Sequence, residues 1–131
     1  MAILDTTFII DTWAGDDQAL ELTEQLDRDR VPQKVSSMTV FELYHGVVKA
    51  QKPEDERRRV MDVLESKTVV DADRAIMSKA GRLYARLDLR GERIGEGDCI
   101  VAATGFVRDE PVVTRNTEHF NRVNDLEVRE Y

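Results

Sequence analysis

"MAILDTTFII" (residues 1–10) decides how the rest of the chain is read. Ala2, Ile3 and Leu4 open a short buried strand, read here as residues 2–5. Phe8, Ile9 and Ile10 resume the apolar run, so Asp5, Thr6 and Thr7 are polar where core is expected. A carboxylate at the end of a buried strand either caps a helix that starts there or serves chemistry at the sheet edge. The segments beyond residue 10 show which kind of sheet this strand enters.

A periodic segment from about Gln18 to Arg28 has Leu22 and Leu26 four apart, with Asp16 or Asp17 placed to cap its start. "KVSSMTVFELYHGVVKAQKP" (34–53) holds a second strand ending near Ser36 or Ser37, then a helix. Val40, Leu43, Tyr44, Val47 and Val48 form its expected inward stripe, and the wheel puts Glu42 opposite, toward solvent. "PEDERRRVMDVLES" (53–66) begins with proline and runs from acids to bases, as an amphipathic helix does. "TVV" (68–70) is a third strand. Asp73 then caps a helix to about Leu89, with Ile76, Ala80, Leu83 and Leu87 inward.

Gly91, Gly95 and Gly97 mark a loop, and "CIVAATGFV" (99–107) is long enough to be a buried helix. "EPVVTR" (110–115) supplies a fourth strand and "LEV" (126–128) a short fifth. Strands separated by helices predict an α/β fold of three layers, α/β/α, with a central parallel sheet of four to five strands.

The 131 residues form one expected domain, 1–131, with 41% apolar content and a formal net charge of −7. That charge argues against a general nucleic-acid or membrane coat while leaving room for a local basic surface. The single cysteine, Cys99, excludes an intrachain disulfide framework and fits a reducing compartment. No basic leader followed by an apolar stretch opens the chain, and no run approaches the roughly 18 residues that span a bilayer. A cytoplasmic location is expected.

Polar clusters fall where open α/β sheets place their chemistry, beyond the C-terminal ends of strands. They are Asp5–Thr6, then Ser36, Ser37 and Thr39 leading to Glu42, then Glu96 and Asp98, and finally Thr114, Arg115, Asn116 and Glu118. Carboxylates converging on one cleft repel one another unless a cation joins them. Oxygen ligands without paired Cys or His suit magnesium or manganese rather than zinc. Each residue also has a plain structural role. Asp5 and Asp98 read as helix N-caps, Glu42, Glu96 and Glu118 as solvated acids, and Asn116 as a loop or capping residue. His119, beside Phe120, reads as a packed or half-buried histidine, and His45 as an exposed one.

Four stretches together add a resemblance. "ILDTTFIID" (3–11), "SSMTVFELYHGV" (36–47), "GERIGEGDCIVAATG" (91–105) and "PVVTRNTEHFNRV" (111–123) resemble, in order and spacing, the PIN-domain ribonucleases, especially the VapC-type toxins of toxin–antitoxin pairs. The resemblance implies a Mg²⁺- or Mn²⁺-dependent endoribonuclease with Asp5, Glu42, Asp98 and Asn116 as its catalytic set. Asp5, Asp98 and Glu42 would hold the metal, with Thr6, Thr39, Glu96 and Glu118 in support. Asn116 departs from a four-carboxylate version of the site, and Glu96 is the acid expected to assist or replace that charge.

RNA phosphate would meet Arg82, Arg86, Arg90 and Arg93, the first three recurring every four residues, and Arg115. A homodimer and a VapB-like antitoxin that puts a basic side chain near the active site are also implied. Two other readings stay open: a PIN-like RNA- or protein-binding module with little or no catalysis, and an RNA-processing nuclease outside a toxin pair.

Overall fold

In the computed structural model, which describes residues 1–131, β1 (Ala2–Leu4) lies at the centre of a five-stranded sheet. It pairs in parallel with β2 (Gln33–Ser36) on one side and with β4 (Val112–Val113) on the other. Beyond them lie β3 (Thr68–Val70) and β5 (Val128–Arg129), so the order is β3-β2-β1-β4-β5 and every pairing is parallel. All three β1 residues are buried, as a strand covered on both faces requires.

Successive strand residues alternate between two cores. Ala2, Leu4, Val35 and Val113 face a cluster built from α1 (Thr6–Trp13), α2 (Asp17–Arg28), α3 (Ser37–Lys49) and α4 (Pro53–Glu65). Ile3, Val70 and Val112 face the other, built from α5 (Arg74–Leu89), α6 (Glu96–Arg108) and α7 (Thr117–Phe120). The expected α/β/α sandwich is present, with five strands. On α5, Ile76, Ala80, Leu83 and Leu87 are all buried, as their spacing predicts.

Several local expectations change. α1 is a helix of eight residues that starts directly after Asp5, its N-cap. α6 starts at Glu96, three residues earlier than expected, with Gly95 as N-cap. Asp98 is therefore inside the first turn and caps nothing; its carboxylate is free for other contacts. Along α3 the inward row is Thr39, Leu43 and Val47, while Tyr44 and Val48 are exposed. A helix meeting a sheet edge buries a narrower stripe than hydropathy alone suggests, and Thr39 takes a core position because its hydroxyl has partners. α7 has no clear sequence signal, being a single turn of four residues.

α6 crosses close under the start of β4 at Gly105. A Cβ there would meet Val112 Cγ2 at 2.7 Å and the Glu110 carbonyl oxygen at 2.9 Å, and backbone cannot swing aside. Gly105→Ala gains about 1 kcal/mol of helix propensity but overpacks this crossing, so a net loss of roughly 1–2 kcal/mol is expected in urea unfolding. A more stable variant would show that the crossing is looser than described.

Candidate active site

The C-terminal end of β1 delivers Asp5 to the sheet edge with only 4% of its surface exposed. Its backbone N–H donates to the Val113 carbonyl at 2.9 Å, continuing the β1–β4 ladder. Its carboxylate caps α1, with Oδ1 accepting from the Thr6 N–H at 2.8 Å. Oδ2 accepts from the hydroxyls of Thr7 at 3.0 Å and Thr114 at 2.8 Å. Capping and site chemistry are not alternatives here, because the same carboxylate can serve both. Burial pushes its pKa up, the three hydrogen bonds oppose that, and the nearby Asp98 charge adds to it.

β2 ends at Ser36, whose hydroxyl caps α3 by accepting from the Met38 N–H at 3.0 Å. One turn on, Thr39 and Glu42 face α1. Thr6 Oγ1 lies 3.0 Å from both Thr39 Oγ1 and Glu42 Oε1. A carboxylate can only accept, so the Thr6 proton goes to Glu42 and Thr39 donates to Thr6. Glu42 is half-buried rather than solvated. Burial raises its pKa, the Thr6 bond holds it down in part, and the charges of Asp5 and Asp98 raise it further.

Asp98, on the first turn of α6, is met by a residue the sequence left in the packing. His119 Nδ1 is 3.1 Å from Asp98 Oδ2 and 3.0 Å from Asn116 Nδ2. Asn116 in turn donates its backbone N–H to Thr114 Oγ1 at 2.9 Å. Thr6, Glu42 and Asp98 line one open cleft with Met38, Gly95 and Gly97.

Other expected residues lie elsewhere. Glu118 is exposed and bonds Arg122 at 3.2 Å. Glu96 is exposed and lines a separate groove between α5 and α6, beside Met77, Tyr84 and Cys99, so it does not supply charge to the Asp98 cleft. Arg115 bonds Asp16 at 2.6 Å, approaches Asp11 at 3.6 Å and stacks over Tyr131. Arg93 is held by Asp88 at 2.8 Å, and Arg90 donates to the Arg122 carbonyl at 3.1 Å. Of the arginine series only Arg82 and Arg86 are exposed on α5 and outside any ion pair.

The PIN-domain family profile matches residues 2–126. The chain belongs to the PIN-domain family. Within it, the chain is 30% identical over 129 residues to ribonuclease VapC2 of Haemophilus influenzae, covering 98% of this chain and 96% of that protein. It is 28% identical, over the same shares, to the tRNA(fMet)-specific endonuclease VapC of Shigella flexneri.

Among solved structures, VapBC2 of Rickettsia felis bound to promoter DNA superposes with a TM-score of 0.89 at 23% identity, covering 99% of this chain and 98% of that one. DNA-bound VapBC of Salmonella typhimurium gives 0.87 at 25% identity, covering 98% and 96%.

The donor set of this PIN domain is all oxygen, which suits a hard divalent cation. The acids feel one another's charge but do not stand at mutual ligand spacing: Glu42 is turned to Thr6, and one oxygen of Asp98 is held at His119. The set fits such an ion in chemistry, with Glu42 and Asp98 lining one cleft and Asp5 beside it at Thr6; Glu42, bonded to Thr6, is the member that would turn to reach the ion. Sequence reasoning placed Thr114 in a polar cluster without its partner and left His119 in the packing, whereas the structure sets them against Asp5 and Asp98. Their only signal was position, Thr114 at the end of β4 and His119 three residues after Asn116.

The raised Glu42 pKa fixes the sign of a pH effect. A carboxyl whose folded pKa lies above its unfolded value, about 4.3, contributes stability that is complete below that value and lost as pH rises through the folded pKa. In chelator, the Glu42 contribution to stability should therefore fall from acid toward neutral pH, and Glu42→Gln should lack that loss. Urea unfolding at several pH values should show the variant gaining on the parent as pH rises; parallel profiles would contradict the shift.

Proposed function

We propose that this chain is a Mg²⁺- or Mn²⁺-dependent endoribonuclease acting as the toxin of a type II toxin–antitoxin pair. The observation that carries the reading is that Glu42 and Asp98, from two helices, line one cleft with Thr6, beside which the buried Asp5 ends β1, and that burial and the neighbouring acids disfavour the charges of Asp5 and Glu42. Support comes also from relatives named as VapC ribonucleases, covered almost end to end.

Asp5, Glu42 and Asp98 would hold the ion. When bound, it supplies Lewis acidity toward the RNA phosphate and lowers the pKa of attacking water. Asp5, buried and hydrogen-bonded three times, is the rigid member of the set. Glu42, with its pKa raised and its carboxylate reachable from the cleft, is placed to take the proton of the attacking water. Thr6 and Thr39 keep that carboxylate oriented. Phosphate binding falls to Arg82 and Arg86, whereas Arg90, Arg93 and Arg115 already have protein partners.

The cleft also suits the antitoxin expected from the resemblance. Ile10 and Phe41, 49% and 66% exposed, stand beside the acids, so a segment carrying apolar side chains and one basic group matches both features. Neighbouring VapBC structures are toxin–antitoxin complexes, which supports a partner of this kind. A second copy of the chain has a separate candidate face in the apolar groove lined by Met77, Ala80, Tyr84 and Ile100. No helix is long and apolar enough to cross a membrane.

The reading is tested by incubating partner-free protein with total RNA under Mg²⁺, Mn²⁺ or excess chelator, alongside Asp98→Asn. Discrete fragments that require metal and vanish in the variant are expected. Equal cleavage by Asp98→Asn, or cleavage in chelator, would contradict it; folded protein that binds RNA and neither ion would favour the non-catalytic binding module.

RNA binding by the Asp98→Asn protein should weaken with salt. Replacing Arg82 and Arg86 by Ala should flatten the slope of log K against log salt by about 0.7 for each phosphate no longer neutralised. An unchanged slope would place the RNA on another face.

A further inference from the structure

The turn after β4 contacts two of the acids around the cleft. Thr114 donates to Asp5 Oδ2 at 2.8 Å and accepts the Asn116 N–H at 2.9 Å. His119 Nδ1 then stands 3.0 Å from the Asn116 amide and 3.1 Å from Asp98 Oδ2. Residues 114–119 thus touch both Asp5, at the end of β1, and Asp98, at the start of α6. The Asn116 side chain, which the resemblance puts in the catalytic set, faces the His119 ring.

One ring nitrogen cannot accept a proton from an amide and give one to a carboxylate at the same time. A carboxylate only accepts. A bare Nδ1 would set its lone pair against a carboxylate oxygen at 3.1 Å, which is repulsive. The geometry therefore calls for Nδ1–H donating to Asp98, with the Asn116 carbonyl oxygen rather than its NH₂ turned to the ring. We propose that His119 is a positioning residue for Asp98: its Nδ1–H holds Oδ2 toward α7 and leaves Oδ1 as the oxygen offered to the cleft.

The assignment rests on the reading of Asp98 as a ligand to a divalent ion. An Asp side chain turns broadly about χ2, and a bond to one oxygen removes most of that freedom before an ion arrives. Partners of this kind typically contribute 10- to 100-fold in ion affinity. Through Thr114 and His119, a single six-residue segment contacts two carboxylates that come from different layers of the fold.

The test is Mn²⁺ affinity by calorimetry on the whole chain, for the parent, His119→Phe and His119→Gln, and for Asp98→Asn with and without His119→Phe. Urea unfolding in chelator would establish that every variant is folded. We expect His119→Phe to bind Mn²⁺ 10- to 100-fold more weakly than the parent, and His119→Gln, whose amide still donates, to recover part of that loss. In the Asp98→Asn background His119→Phe should cost nothing further, because the group it positions is gone.

A purely packing role would lower stability and leave Mn²⁺ affinity untouched, and that result would overturn the proposal. So would equal losses with and without Asp98. A separate arm reads the ring tautomer of ion-free protein by long-range ¹H–¹⁵N spectroscopy. A proton on Nδ1 that Asp98→Asn releases supports the hold, and a proton fixed on Nε2 overturns it. Failure of the parent to bind Mn²⁺ would instead remove the divalent-ion reading of Asp98, and the assignment with it, whatever the tautomer shows.

Discussion

Asp5 has almost no solvent, and the three donors around its carboxylate replace the water it lost. Two of them follow it directly in the chain, Thr6 and Thr7. The third, Thr114, arrives because β1 and β4 pair in the register Leu4 to Val113, so the next residues along, Asp5 and Thr114, come side by side. A slip of one residue in that pairing would turn Thr114 to the other face of the sheet. Strand pairing and site geometry are therefore one constraint. Short as it is, β1 is buried at every residue and paired on both edges.

The other polar groups are arranged around that fixed carboxylate. Thr6 follows it and reaches across to α3, where it holds Glu42 and meets Thr39. Asp98 comes from the opposite layer and is met by His119. Hydroxyls, an imidazole and backbone N–H groups hold the acids, and none of these partners is a lysine or arginine. Negative charge is thus left uncompensated in a half-enclosed place, which both a divalent cation and a basic side chain of a partner would relieve. On the proposed reading, substrate cleavage and its inhibition draw on the same unbalanced charge.

The sheet and its helices were legible because hydrophobic period and burial agree there: Ile76, Ala80, Leu83 and Leu87 are all inward on α5. Glu42 shows why the site was less so. A helical wheel asks only which side of α3 is apolar, and it assigns Glu42 to solvent. The polar partner that half-buries it, Thr6, comes from another element 36 positions away in sequence.

Asp98 reads as a cap because the glycines before it look like loop, yet Gly97 is helical and α6 begins at Glu96. Arg115 and Arg93 look free in sequence and are paired in space, since nothing local announces Asp16 or Asp88 as their partners. The family resemblance groups Asp5, Glu42 and Asp98; the fold brings Glu42 and Asp98 to one cleft and Asp5 beside it at Thr6, while Glu96 and Glu118 face elsewhere.

The central claim is that this cleft is built to share a divalent cation among Asp5, Glu42 and Asp98. The most direct measurement is an anomalous-difference map from crystals grown with Mn²⁺. The account predicts density in the cleft at ligand distance, about 2.0–2.2 Å, from oxygens of Asp5 and Asp98, with Glu42 turned from Thr6 toward the ion or a water on it. An empty cleft at saturating Mn²⁺, or density bound only by other residues, would contradict it.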